Sequence, residues 1–153
     1  MDAIDRKLLC LLAQDADVTA SALAPQLNLS VPAINKRIAR LKSTGAIRRT
    51  TILTDGKEVG KPITAYVLVA LDRFSDSDKF LGIVAADRDI LECSAVTGAY
   101  DYILKICAAD IDALEDKLLG MKKKGIAKTD TLLALREYKN MPVPLPDPER
   151  DAQ

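Results

Sequence analysis

The sequence predicts an α+β protein in which an N-terminal helix-turn-helix (winged-helix-like) domain is joined by a hinge to a ferredoxin-like βαββαβ domain. Apolar residues recur at helical spacing in residues 3–43, whereas strand and helix patterns follow in the order β-α-β-β-α-β over residues 63–138. The charge changes between these regions. Residues 1–61 hold 10 Lys or Arg and 6 Asp or Glu, a net +4, whereas residues 62–153 hold 12 and 16, a net −4.

The composition excludes several classes of protein. The chain has 153 residues, of which 48% are apolar, and contains no apolar run long enough to span a bilayer. It has no histidine, which removes the usual general base and metal ligand. Its three cysteines stand apart among apolar neighbours, which suits a reducing compartment better than a disulfide frame or a zinc site. We therefore expect a cytoplasmic protein without a metal, a cofactor or a catalytic constellation, and without a membrane partner.

The first two helices are predicted from apolar spacing and capping residues. The first spans residues 3–14, where apolar residues recur on one face and Asp2 is placed to cap the N-terminus. The second begins after Thr19. Because Pro25 falls inside it and removes a backbone hydrogen bond, this helix is expected to be short or bent.

The third helix is predicted to begin after Ser30, with Pro32 in its first turn. Gly45 ends the helix, and a strand is expected over residues 46–53. Three short helices with a tight turn before the last are typical of a helix-turn-helix. The buried stripe of the third helix is predicted to consist of Ala33, Ile34, Ile38 and Leu41.

A basic stretch coincides with this third helix. Residues 30–49 hold six Lys or Arg and no Asp or Glu. A solvated helix face is the alternative interpretation, but the lack of acid and the three-helix frame favour double-stranded DNA as the partner. Asn and Arg side chains of the helix would contact base edges, whereas Lys36, Lys42, Arg48 and Arg49 would contact phosphates. Arg37 and Arg40 are expected to project outward, so that changing either to Ala leaves the fold intact. The predicted DNA-binding residues are Ser30, Asn35, Lys36, Arg37, Arg40, Lys42, Arg48 and Arg49.

The second domain is predicted from its strand and helix signals. Strands are expected at 63–71, 90–96, 101–109 and 130–138, the second and third joined by the turn sequence TGAY. A helix over 75–87 would be capped by Ser75, and a helix running to Met121 would be capped by Asp110. This order is that of the ferredoxin-like split unit, whose helices cover one face of the sheet.

These features together resemble the Lrp/AsnC (feast/famine) transcription regulators over nearly the whole chain. The most specific segment is VTGAYDYILK, which matches the family pattern G-x-[YF]-D-Y. In the family this loop lies at a subunit interface and contacts an amino-acid effector, assisted by a Thr-x-Thr segment before the last strand. Ala99 departs from the charged residue common at that position. The resemblance implies an effector site of Gly98, Ala99, Tyr100, Asp101, Tyr102, Thr129 and Thr131.

The residues of the loop support this assignment in part. Gly98 suits the positive φ of a turn, Asp101 offers an acceptor for an ammonium group, and Thr129 and Thr131 offer donors for a carboxylate. We expect these groups to meet only across neighbouring chains. The alternative is that Asp101 caps a turn and the tyrosines pack; the family resemblance favours ligand binding.

The sequence therefore predicts a DNA-binding transcription regulator that responds to an amino-acid effector and forms a homo-oligomer, a dimer or, by resemblance, an octamer. One alternative is an architectural DNA-binding protein without a ligand. Another is an enzyme on the ferredoxin-like domain, since that fold hosts unrelated activities. The predicted segments are a DNA-binding domain at 1–53, a hinge at 54–62, an effector and oligomerisation domain at 63–140 and an extended or disordered Pro-rich tail at 141–153.

Overall fold

A computed structural model describes residues 1–122, 126–140 and 144–146. The chain divides into two compact units. The first contains Met1–Ile52 together with the described residues from Lys139 onward, and the second is Leu53–Tyr138. The predicted hinge, 54–62, therefore belongs to the second unit. The prediction for the tail falls largely outside the described residues, although the thiol of Cys10 donates a hydrogen bond to the carbonyl oxygen of Pro146 at 3.6 Å.

The first unit contains three helices among its described residues: α1 (Ala3–Gln14), α2 (Ala20–Leu27) and α3 (Val31–Ser43). The predicted span and cap of α1 are confirmed. The Asp2 carboxylate accepts from the Asp5 amide at 2.8 Å, and the Asp5 carboxylate accepts from the Asp2 amide at 3.1 Å, which completes a capping box. The caps predicted for α2 and α3 are also present, because the hydroxyls of Thr19 and Ser30 each accept from a backbone amide of the first turn. As expected, α2 contains Pro25 and is only 8 residues long.

One apolar core holds the three helices together. Fully or almost fully buried leucines and isoleucines from all three meet in it, namely Leu8, Leu23, Leu27, Ile34 and Leu41. Ile34, Ile38 and Leu41 of the predicted stripe of α3 are confirmed in this core, whereas Ala33 is only partly buried and lies outside the cluster. Packing of amphipathic faces, more than helix propensity, stabilises helices as short as these.

The strand predicted over residues 46–53 is wrong, because this described segment contains no strand. Gly45 has a φ of +78°, which ends α3, and the Ile47 amide donates to the Leu41 carbonyl at 3.0 Å. The chain is thus turned back onto the helix core. Ile52 and Leu53 have β-type side chains, but a strand also needs a paired neighbour, and none of the described residues pairs with them.

The second unit contains a four-stranded antiparallel sheet of order β2-β3-β1-β4. Its strands are β1 (Ile63–Leu71), β2 (Ile90–Ala95), β3 (Tyr102–Ala108) and β4 (Ile126–Leu133). The two central strands β1 and β3 pair from Ile63↔Ala108 to Val69↔Tyr102, and β1 pairs with β4 on its other side. The predicted βαββαβ order is confirmed.

Two helices complete this unit: α4 (Ser77–Ala86) and α5 (Ile111–Lys122). The Asp110 cap of α5 is confirmed, because its carboxylate accepts from the Ala113 amide at 2.7 Å. The Ser75 cap is wrong, because Phe74–Asp76 forms a 3₁₀ turn that delays the start of α4. The last strand is displaced from its predicted position at 130–138 to Ile126–Leu133, since pairing with β1, not local composition, decides where it begins and ends.

Both helices pack on one face of the sheet. Phe80 of α4 and Leu114 and Met121 of α5 join one buried cluster with inward side chains of β1 and β3. The opposite face holds the alternate residues of the strands, and within this unit no described helix covers it. Its apolar members are half-buried or exposed, namely Tyr66, Leu68, Ile103 and Leu132.

Candidate nucleic-acid interface and effector loop

The exposed side of α3 carries the polar residues that the sequence assigns to DNA. Asn35, Lys36 and Lys42 are exposed, and they lie opposite Ile34 and Leu41 on the helix. The neighbouring exposed residues on this side are Ala39 and Ser43, and we call the five residues the outer stripe of α3. A helix that presents small, amide and basic side chains on one free side suits entry into a DNA major groove.

Further cations follow the helix. Arg48 and Arg49 are exposed and, like Lys36 and Lys42, form no ion pair with any part of the chain that the structure describes. Their ammonium and guanidinium groups are therefore available to phosphates. Ser30 is placed at the N-terminus of α3, where its hydroxyl accepts from the Ala33 amide at 3.4 Å as the helix cap.

Arg37 does not project outward, which corrects the sequence prediction. Its side chain is only 22% exposed and turns towards the N-terminus of α1. Arg37 Nη1 lies 2.6 Å from Asp2 Oδ2 and 2.7 Å from Asp5 Oδ1. The expectation that Arg37→Ala leaves the fold intact stays a prediction, but its premise is wrong, because Arg37 is a partner of Asp5, whose side chain is fully buried.

Arg40 is placed differently. Its Nη2 is hydrogen-bonded to Asp5 Oδ2, but its side chain is 54% exposed, so the rest of the guanidinium faces solvent. The two arginines and the carboxylates of Asp2 and Asp5 form one cluster with no net formal charge, which we call the acidic fork. The hydrogen bond from Arg37 lowers the pKa of Asp2, and the same bond raises the pKa of Arg37.

The spacing of the charged residues in the sequence could have predicted the acidic fork. Asp2 and Asp5 are three residues apart on α1, and Arg37 and Arg40 are three residues apart on α3. Such pairs lie on one side of each helix, so two helices that pack closely bring all four side chains together. Helical spacing also places Arg37 between Ile34 and Leu41, on the side that faces the core.

The loop between β2 and β3 is anchored to the end of β1 by one residue. The Asp101 amide donates to the Val69 carbonyl at 2.9 Å, and its own carbonyl accepts from the Val96 amide at 3.0 Å. Its carboxylate Oδ2 accepts from the Leu71 amide at 2.8 Å. Asp101 therefore holds the loop in place although the residue is exposed.

The loop turns at Gly98, whose φ of +116° confirms the predicted conformation. The exposed Ala99 follows, and the Tyr100 hydroxyl reaches Asp130 Oδ2 at 3.4 Å. Lys128 Nζ lies 5.0 Å from the centroid of the Tyr100 ring, in a cation–π contact. A side-chain hydrogen bond with Tyr100 raises the pKa of Lys128. The loop thus contacts β4 of its own chain.

The remaining members of the predicted effector set lie in the sheet. Tyr102 is half-buried with its ring centroid 4.9 Å from that of Phe80, so it packs in the core. Thr129 and Thr131 lie inside β4, opposite Val69 and Val67 of β1. Because Val69 also binds the loop through Asp101, the effector segments converge within one chain. The expectation that the effector-binding groups themselves meet only across neighbouring chains stays a prediction.

Comparisons with known proteins agree with this division of the chain. A model of the winged helix-turn-helix DNA-binding domain matches residues 1–48, and a model of the Lrp/AsnC ligand binding domain matches residues 64–144. The fold and these matches define a transcription regulator with a DNA-binding helix-turn-helix and a ligand-binding domain. The chain belongs to the Lrp/AsnC family.

Individual relatives support the same family. The DNA-binding transcriptional activator DecR of Escherichia coli K12 is 30% identical over 143 residues, covering 91% of this chain and 94% of DecR. The glutamate uptake regulatory protein of Zymomonas mobilis is 31% identical over 159 residues, covering 100% and 96%. The crystal structure of an AsnC family regulator from Agrobacterium tumefaciens superposes with a TM-score of 0.87 at 27% identity, covering 95% and 97%. Within the described ranges, no helix is long and apolar enough to cross a membrane.

Proposed function

We propose that this chain is a sequence-specific DNA-binding regulator whose operator is read by the outer stripe of α3. The observation that carries the proposal is that this side is exposed, basic and free of acid, while the opposite side is buried against α1 and α2. In this proposal, Asn35 and the neighbouring Arg40 contact base edges, and Lys36, Lys42, Arg48 and Arg49 contact phosphates.

Gel-shift titration tests this proposal. The probes are a duplex selected from a random pool by the protein and a shuffled duplex of the same composition. Lys42→Gln should reduce the slope of log K against log salt by about 0.9, because one phosphate contact is lost. The matched control is Lys79→Gln, which removes an exposed lysine of α4 in the other unit and should leave the slope unchanged. Equal affinity of the wild type for both duplexes would contradict the proposal.

We also propose that the loop at Gly98–Tyr102 forms part of a site for an amino-acid effector. The match to a ligand binding domain and the exposed position of Asp101 support it. The ammonium group would bind the Asp101 carboxylate, while the hydroxyls of Thr129 and Thr131 and loop amides would hold the carboxylate. The proteinogenic amino acids, each tested in a thermal-shift screen, should include at least one that stabilises the protein.

Two variants then separate the role of charge from that of structure. Asp101→Asn keeps an acceptor for the Leu71 amide but loses the charge, and it should abolish binding of the amino acid found in the screen. Asp116→Asn, an exposed change on α5, should not alter binding. A screen without any stabilising amino acid would favour the alternative of an architectural protein without a ligand.

A homo-oligomer is the third part of the proposal. One recognition helix contacts about one half-site, and specificity usually needs two helices spaced by a turn of DNA. The open sheet face, where Leu132 is 55% exposed, is suited to cover by the same face of a second copy. Leu132→Asp should lower the mass found by light scattering from a multiple of 16.6 kDa to 16.6 kDa. Leu119→Asp on the outer side of α5 is the matched control; loss of the oligomer by this change alone would contradict the assignment of the sheet face.

A further inference from the structure

We propose that Arg37 is a positioning residue, which sets how the outer stripe of α3 is presented to DNA by fastening α3 to the N-terminus of α1 through the acidic fork. The inference rests on the DNA-binding function proposed above. It assigns Arg37 and Asp5 to the specificity of the site although neither side chain lies on the outer stripe.

The burial of Asp5 keeps the two arginines close to α1. Asp5 is fully buried, and both of its carboxylate oxygens are occupied: Oδ1 by Arg37 Nη1 at 2.7 Å, and Oδ2 by Arg40 and the Asp2 amide. A buried carboxylate without its cation is strongly unfavourable, so the two arginines must stay near α1. Arg37 Nη1 also reaches Asp2 Oδ2 at 2.6 Å and thus bridges two carboxylates.

Arg37 lies at the border of the buried side of α3. Arg37 follows Ile34 by three residues and precedes Leu41 by four, which places it about 50° around the helix from the midpoint of these two buried residues. The apolar contacts of Ile34 and Leu41 are nondirectional. Hydrogen bonds from a planar guanidinium fix direction as well as distance. The acidic fork therefore defines the rotation of α3 about its own axis.

Arg40 belongs both to the acidic fork and to the exposed surface. One nitrogen is held by Asp5, while the side chain is 54% exposed. An arginine already extended by a buried carboxylate loses less conformational freedom when DNA binds. Arg40 is thus presented to DNA in a fixed orientation, whereas the outward cations Lys36 and Lys42 have no described ion-pair partner to orient them.

Two asparagine variants distinguish a positioning role of the acidic fork from a simple effect of negative charge on DNA binding. Asp5→Asn and Asp2→Asn each remove one negative charge near the proposed DNA surface, so charge alone predicts that both bind DNA equally or more tightly. Asp2→Asn is the matched control for Asp5→Asn, because asparagine also caps helices and Asp5 still pairs with both arginines. Asp5→Asn removes the buried charge that both arginines share.

The readout is the ratio of affinities for the selected duplex and the shuffled duplex, measured where circular dichroism shows each full-length variant to be folded. We expect Asp5→Asn to lower this ratio by about tenfold, the effect of one lost base contact, and to lower the melting temperature of the first unit by about 10 °C. Asp2→Asn should change the ratio by less than about twofold. Loss of folding alone would reduce both affinities together and leave their ratio unchanged.

A second measurement keeps the test decisive if Asp5→Asn does not fold. Arg37→Gln should lower the ratio but leave the salt slope unchanged, whereas Lys42→Gln should reduce the slope by about 0.9. The inference is overturned if Arg37→Gln reduces the slope like Lys42→Gln, or if Asp5→Asn keeps the ratio of the wild type. A wild type that does not distinguish the duplexes is a separate result, which refutes the proposed function before any variant is compared.

Discussion

Replacing Asp101 should destabilise the second unit even without any ligand. The Asp101 carboxylate accepts the Leu71 amide at 2.8 Å, at the point where the pairing of β1 with β4 shifts register between Ala70 and Leu71. The side chain thus supplies a partner for a backbone amide at the irregular end of a central strand. Asp101→Ala removes that partner and weakens the attachment of the loop to β1.

The size of the effect follows from the bond that is lost. A hydrogen bond to a charged group contributes about 1.5–3 kcal/mol, and solvent competition at an exposed carboxylate reduces this towards the lower limit. We therefore expect Asp101→Ala to reduce the free energy of unfolding of the second unit by about 1–2 kcal/mol. Asp101→Asn keeps a neutral acceptor, so its cost should be about 0.5–1 kcal/mol.

Urea unfolding of the full chain, with hydrogen exchange of the Leu71 amide, measures both quantities. The Leu71 amide should exchange faster in Asp101→Ala than in Asp101→Asn, and faster in both than in the wild type. If neither variant changed stability or the exchange of this amide, the anchoring role of Asp101 would be refuted. Any loss of effector binding in Asp101→Ala would then be due to the ligand contact alone.

Three other predictions concern the core, acid stability and a thiol. Leu104→Ala, at a fully buried position of β3, should lower the free energy of unfolding of the second unit by about 2–5 kcal/mol in urea titration. The pKa of Asp2 is lowered chiefly by its hydrogen bond to Arg37, and that of Asp89 by its hydrogen bond to Lys61. The two ionised carboxylates stabilise the folded chain fully above the unfolded-state pKa of about 3.9, and this stabilisation is lost as pH falls through their lowered folded-state pKa values. The urea midpoint of unfolding should therefore drop only below about pH 4. A drop of the midpoint near neutral pH would show that these two ion pairs are not the cause. Burial raises the pKa of the Cys107 thiol, so iodoacetamide at mildly alkaline pH should alkylate it more slowly in the native chain than in urea, and equal rates would show that the thiol is not protected.

Elements with local signals could be predicted from the sequence. The span of α1 follows from its apolar spacing and the Asp2 cap, and the start of α3 follows from Ser30 and Pro32. The strand β1 (Ile63–Leu71) has the predicted bounds because its central place makes a long β-branched and apolar run favourable. These features depend on residues within a few positions of one another, where propensity and capping decide the outcome.

The basic character of α3 and the turn at Gly98 were also evident from the sequence, and both lead to the family. The residues that would contact DNA on the exposed side, Asn35, Lys36 and Lys42, are placed where helical spacing puts them. Charge and spacing identify a surface because they need no knowledge of what packs against it.

Only the tertiary structure decided which charged residues face that surface and which serve the fold. Arg37 is paired with acids 35 and 32 residues earlier in the chain, and Asp101 binds an amide 30 residues earlier. The bounds of β4 and the absence of a strand over residues 46–53 likewise depend on whether a partner strand is present. Such contacts depend on how whole elements pack, and a carboxylate or guanidinium takes whichever partner the packing brings within hydrogen-bond distance.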